Sequence, residues 1–217
     1  PEYTIDWFTV EDIYAKSMKL IDSTLLKPYS TLAPRSISIL PVAQGCQAKC
    51  SFCFSHASIS DDLKKSVISK ERIKSVLDHA LKHGAERAVI TGGGEPMMLP
   101  LHYILSMIEE CAKRFNTVTM ITNGYTISTR KTYTDRVNYL IALRKAGLTV
   151  LSVSRHGYDS ASNTSIMNLD TQSEVIAETY DQYMKELNTT NRNNNNTSYT
   201  DTNTNKSNNH SISISIR

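Results

Sequence analysis

Residues 36–54 read SISILPVAQGCQAKCSFCF, and residues 87–96 read RAVITGGGEP. Each begins as a short run of β-formers and ends in residues that carry chemistry. Ser36–Ala43, just after Pro34, reads as a short buried strand. It leads into three cysteines spaced C-x3-C-x2-C: Cys46, Cys50 and Cys53. Arg87–Thr91 reads as a second strand that leads into Gly92-Gly93-Gly94-Glu95-Pro96.

Between these stretches, Ile73, Val76, Leu77, Ala80 and Leu81 recur at helical spacing. Ser69 is placed to cap that helix and Gly84 to end it. Beyond them the alternation continues. A helix carries Ile104, Ile108, Cys111, Ala112 and Phe115. A strand covers Thr117–Thr122 and ends in Asn123-Gly124. A helix over about 134–146 ends at Gly147. A fourth strand, Leu148–Ser154, runs into Arg155-His156-Gly157-Tyr158-Asp159, and a last helix covers about 172–187. Strands alternating with helices at this spacing imply right-handed βαβ units and a parallel sheet, hence an α/β fold. In such sheets the working residues gather beyond the C-terminal strand ends. The cysteine loop, the glycine turn, Asn123, and Ser152, Ser154 and Arg155 are therefore expected on one rim.

Three thiols on one short loop suit a metal or a cluster. A closed electron-transfer cluster takes four cysteines, so three leave one iron open to another ligand. Cys111 is expected to be a core residue, because it falls on the buried stripe of its helix. Structural zinc held by Cys46, Cys50, Cys53 and His56 is the rival. Zinc ligands more often come as two separated pairs, and zinc does not explain the glycine turn. An open iron beside that turn suggests a chelating ligand lying along the strand ends, with Glu95 supplying charge for an ammonium group.

Together, GCQAKCSFCF and TGGGEP resemble the signature of the radical S-adenosylmethionine (radical SAM) superfamily over about residues 36–187. The resemblance implies that Cys46, Cys50 and Cys53 hold a [4Fe–4S] cluster whose fourth iron binds S-adenosylmethionine. One electron then cleaves that cofactor to methionine and a 5′-deoxyadenosyl radical, which abstracts hydrogen from a substrate the sequence does not identify. It implies Phe52 near the adenine, and Gly93, Gly94 and Glu95 at the methionine amino group. Ser152 or Ser154 falls near the ribose or carboxylate, with Asn123 and Arg155 as further cofactor contacts. An electron donor such as flavodoxin or ferredoxin, and a reduced, cytoplasmic setting, follow from the same chemistry. A degenerate relative that binds the cluster without catalysis is a further alternative. His156 and Tyr158 lie on the same rim and could touch substrate or move a proton. The plainer reading is a loop histidine and a packed tyrosine. His79 and His83 have metal-binding spacing, but no acidic partner is placed for them and a solvated helix face is expected.

The family core has six βα units and only about four are visible. The expected fold is an incomplete (βα)6-type partial barrel over residues 36–187, behind an N-terminal extension over 1–35 with one helix, Val10–Ile21. Residues 188–217 contain ten Asn, six Thr and five Ser, and are expected to be a disordered tail. The closing SISISIR alternates as a strand does. It has no helix before it, so edge pairing is not the expectation. The chain begins at Pro1 and not at Met, which suggests a processed or cut terminus, and a fragment, a lost reading frame or a naturally shortened member whose open sheet edge a partner covers would explain the missing units.

The 217 residues carry a formal charge of +3. The tail holds Arg192, Lys206 and Arg217 against Asp201, a net of +2, which leaves +1 for the rest. A balanced core without a basic run gives no support to a nucleic-acid partner. No apolar stretch reaches the roughly 18 residues of a membrane span, and the N-terminus lacks the pattern of a signal peptide.

Overall fold

The structure is a computed structural model, and it describes residues 34–53, 55, 68–195 and 213–216. His56 and the expected helix Val10–Ile21 lie outside the described residues. The chain divides into Pro1–Pro34 and Arg35–Arg217.

Among the described residues, five parallel strands form one sheet in chain order: β1 Ser36–Ile39, β2 Arg87–Ile90, β3 Thr117–Thr122, β4 Val150–Val153 and β5 Ser213–Ile216. Helices α1 Lys70–Lys82, α2 Leu101–Ala112 and α4 Tyr133–Lys145 link the first four strands, with a short helix α3, Tyr125–Ser128, after β3. The helix α5 Ser160–Met167 and the long α6 Ser173–Asn195 follow β4. The expected α/β partial barrel is what the chain forms.

The strands end where their chemistry stops them. β1 is shorter than the expected 36–43 because Pro41 has no N–H to give to a ladder. α1 starts where Ser69 accepts from the Arg72 N–H at 3.2 Å and stops before Gly84, whose φ is 92°. Its stripe of Ile73, Leu77 and Ala80 is buried, although Leu81 stays exposed.

The two faces of the sheet differ. Ile39, Ala88, Ile90, Val118, Met120, Leu151 and Val153 point into the helical core. On the opposite face Val89, Thr119 and Val150 are only half-buried and Ile121 is exposed. Parallel sheets normally cover both faces, and in a partial barrel the second face turns inward. Cys111 is fully buried in the core, where burial pushes its thiol up to about 12.

The tail expectation needs correction at both described ends. The last helix runs eight residues beyond Leu187, to Asn195. Ser213–Ile216 is a strand, paired in parallel with β4 through Val150↔Ser213 and Leu151↔Ile214. β4 would otherwise present an unpaired edge of N–H and C=O groups, and Ile214 packs against the core. That exposed ladder is the force that the local sequence did not reveal. Among the described residues, no helix is long and apolar enough to cross a membrane.

Candidate cofactor site

Four loops converge at the C-terminal rim. One pocket there is lined by Cys46, Cys50, Phe52 and Cys53 from the loop after β1, and by Gly92–Pro96 from the turn after β2. Thr122 and Asn123 at the end of β3, and Ser154 and His156 after β4, complete it. The pocket encloses about 210 Å³. That is below the ~300 Å³ at which small-molecule pockets begin. It opens to solvent beside Phe52, whose surface is 55% exposed.

The glycine turn is stitched to the cysteine loop. Gly94 N–H donates to the Val42 carbonyl at 3.0 Å and Glu95 N–H to the Gly45 carbonyl at 2.9 Å. Ser55 hydroxyl donates to the Gly93 carbonyl and lies 3.3 Å from Cys53 Sγ. This closeness requires glycine: a Cβ on Gly93 would fall 2.0 Å from the Ala43 carbonyl oxygen, and one on Gly94 2.3 Å from that of Gly45. The glycines thus bring two loops together, beyond leaving room for a ligand.

Glu95 lines this pocket and is also tied into the fold. It is 4% exposed, and three internal donors take its carboxylate. Thr122 hydroxyl and Met97 N–H donate to Oε1 at 2.6 and 2.9 Å, and Asn123 N–H donates to Oε2 at 2.8 Å. Burial nevertheless raises its carboxyl above the ordinary glutamate range. The side chain ties the second strand's turn to the end of the third. The turn also offers the pocket its backbone edge.

The other expected residues divide. Phe52 and Ser154 line the pocket, and Asn123 does so beside Cys46. Ser152 lies in β4 opposite Ile121 and Ser215, below the pocket lining. Arg155 points away from the pocket. Its Nη1 pairs with Glu174 Oε1 at 2.6 Å, while Nε and Nη2 donate to the carbonyls of Gly157 and Tyr158, each at 2.9 Å. That guanidinium closes the loop onto α6, which is why strand-end position alone misplaced it.

His156 belongs to the site more closely than the plainer reading held. Its ring meets Phe52 edge-on, with centroids 4.7 Å apart. Tyr158 is not packed at all, being 91% exposed. His79 and His83 form an exposed pair, ring to ring at 4.1 Å, as a solvated helix face should.

Sequence reasoning missed α5 and what it does. Asp159 caps it in a reciprocal capping box with Ser162. Asn163, buried, accepts from the N–H groups of His156 and Gly157 at 2.7 and 3.2 Å and donates to Thr171. At its far end the Met167 carbonyl accepts from Lys49 N–H at 2.8 Å, inside the cysteine loop. The helix therefore supports both walls of the pocket. Asp159 with Ser162 was the available signal.

The donor set fits an iron–sulfur cluster with one open iron. Three thiols line one pocket, and no fourth cysteine is near, since Cys111 is in the core. Burial raises the thiols of Cys46 and Cys50, with Cys53 adding to the rise at Cys50, so metal binding would release protons. Among the described residues, no three His, Cys, Asp or Glu groups are drawn together tightly enough to hold a single ion.

A search of curated proteins returns no match. Among solved structures, the chain is similar to anSMEcpe with bound AdoMet, with TM-score 0.51 and 21% identity over 70% of this chain and 41% of that one. It is similar to Streptococcus suis SuiB bound to S-adenosylmethionine, with TM-score 0.50 and 22% identity over 83% and 39%. It is also similar to HydG, a maturase of the [FeFe]-hydrogenase, with TM-score 0.50 and 16% identity over 70% and 33%. The chain thus spans between 33% and 41% of these three proteins, and likeness at such identity speaks for the fold. The sequence model of the Radical SAM superfamily matches residues 40–201. That match takes in both motifs and most of the chain, and so the chain belongs to the radical SAM superfamily, a family of enzymes.

Proposed function

We propose that Cys46, Cys50 and Cys53 hold a [4Fe–4S] cluster and that the chain cleaves S-adenosylmethionine reductively to start hydrogen abstraction from a substrate. The observation that carries this reading is one pocket lined by the three thiols, the Gly-Gly-Glu turn, Asn123 and Ser154. When bound, the cluster supplies the single electron for that cleavage and an open iron for the cofactor's amino acid end. A small donor of the flavodoxin or ferredoxin kind supplies the electron in turn.

The chain's own residues bind, orient and shield. The three thiolates leave one iron without a protein ligand. The backbone edge at Gly93 and Gly94 meets an ammonium group, while Glu95 holds that edge in place through Thr122 and Asn123. Ser154 offers a hydroxyl on the fourth wall. Phe52 and His156 form an aromatic edge at the mouth, suited to a flat, apolar ring face.

Anaerobic reconstitution with iron and sulfide tests this. The expected result is visible thiolate-to-iron absorption and about four irons per chain, with methionine and 5′-deoxyadenosine released after reduction with S-adenosylmethionine. Cys50→Ala should abolish both. One zinc and no iron would overturn the reading in favour of a zinc-stabilised binding module. A cluster that yields no 5′-deoxyadenosine would leave a cluster-binding relative without catalysis.

A further inference from the structure

We infer that Asn123 is a positioning residue whose side-chain amide donates a hydrogen bond to the sulfur of Cys46, and so sets the reduction potential of the cluster. The inference rests on the cluster reading above and deepens it. It moves Asn123 from the expected contact with S-adenosylmethionine to a contact with a cluster ligand.

Asn123 is 5% exposed at the end of β3. Its backbone N–H donates to Glu95 Oε2 at 2.8 Å, and its Oδ1 accepts from Tyr125 N–H at 2.9 Å. Because a backbone donor claims Oδ1, the amide has one sensible orientation, and Nδ2 must face the cysteine loop. There it stands 3.3 Å from Gln47 Oε1 and 3.7 Å from Cys46 Sγ. Two N–H hydrogens meet two acceptors, and the second acceptor is a cluster ligand.

Ser55 shows the contrast. Its hydroxyl also lies near a cysteine sulfur, that of Cys53, but its one proton goes to the Gly93 carbonyl. Once Cys53 is a thiolate, that contact has no proton left to share. Asn123 keeps one. Reduction adds negative charge that spreads onto the ligand sulfurs, and a donor at sulfur stabilises the reduced state. Asn123 should therefore make the cluster easier to reduce.

The test uses the reconstituted full chain. Asn123→Asp keeps the acceptor for Tyr125 N–H and hence the turn, and replaces the donor with an oxygen. Its cluster should hold the wild-type iron content while the reduction equilibrium shifts about tenfold toward the oxidised form, ~59 mV for one electron. In wild-type protein labelled with ¹⁵N at asparagine side chains, pulsed electron paramagnetic resonance of the reduced cluster should detect a ¹⁵N coupling that Asn123→Asp lacks. An Asp variant with the wild-type potential overturns the inference. So does a wild-type cluster with no ¹⁵N coupling, which decides the matter even if the variant fails to take up iron. A chain that takes up no cluster at all overturns the function itself, and this inference with it; visible absorption and iron content separate that outcome from the others.

Discussion

Glu95 is pulled in two directions. Burial favours the neutral acid, whereas three donors to its oxygens favour the carboxylate. Desolvation is the larger effect, so the folded chain holds the Glu95 proton above the ordinary 4.5. Below that value both folded and unfolded states are protonated. As pH rises the unfolded chain ionises first, and the stability from the neutral carboxyl is lost as pH climbs through the raised folded value. Each unit of elevation corresponds to about 1.4 kcal/mol. Glu95→Gln has no such titration. In the metal-free protein, the melting temperature of wild type relative to Glu95→Gln should therefore fall as pH rises from about 5 to 8. A difference that stays flat or grows with pH would mean that the three donors win.

At the scale of elements, α5 holds the loop after β4 through one buried amide, that of Asn163. Removing it by Asn163→Ala leaves the N–H groups of His156 and Gly157 without their acceptor. Unpaired buried groups cost about 1–3 kcal/mol each. Chemical denaturation should show a loss of roughly 2–4 kcal/mol, allowing for partial access to water. The loop should also become a site of early proteolysis, because His156 would no longer be held against Phe52. A loss of only about 0.5 kcal/mol, the usual range for a surface change, would show that Arg155 with Glu174 holds the loop alone.

For the whole molecule, β5 decides whether the sheet has a protected edge beside β4. Ile214 is half-buried against the core and lies opposite Leu151. Replacing it by Ser should cost about 1–2 kcal/mol, less than full burial of an isoleucine. It should also raise light scattering on heating, as the β4 edge becomes available to other chains. Unchanged melting and scattering would show that β5 contributes nothing to the sheet.

Four βα units, the buried place of Cys111 and the convergence of the cysteine and glycine loops were legible in the sequence. Each depends on a local pattern: period-2 and period-3.6 runs, glycines at stops, and thiols three and four residues apart. The remaining features depend on partners far apart in the chain. Glu95 and Arg155 look like free charges in sequence, and both are spent on internal bonds, with Thr122 and Asn123 in one case and Glu174 in the other. Ser213–Ile216 alternates as a strand does but lacks the preceding helix of a βα unit in its local sequence, and it becomes a strand because β4 has an open ladder beside it. A carboxylate's role, an amide's orientation and an edge strand's existence are each set by which donors and acceptors stand opposite, and only the folded chain decides that.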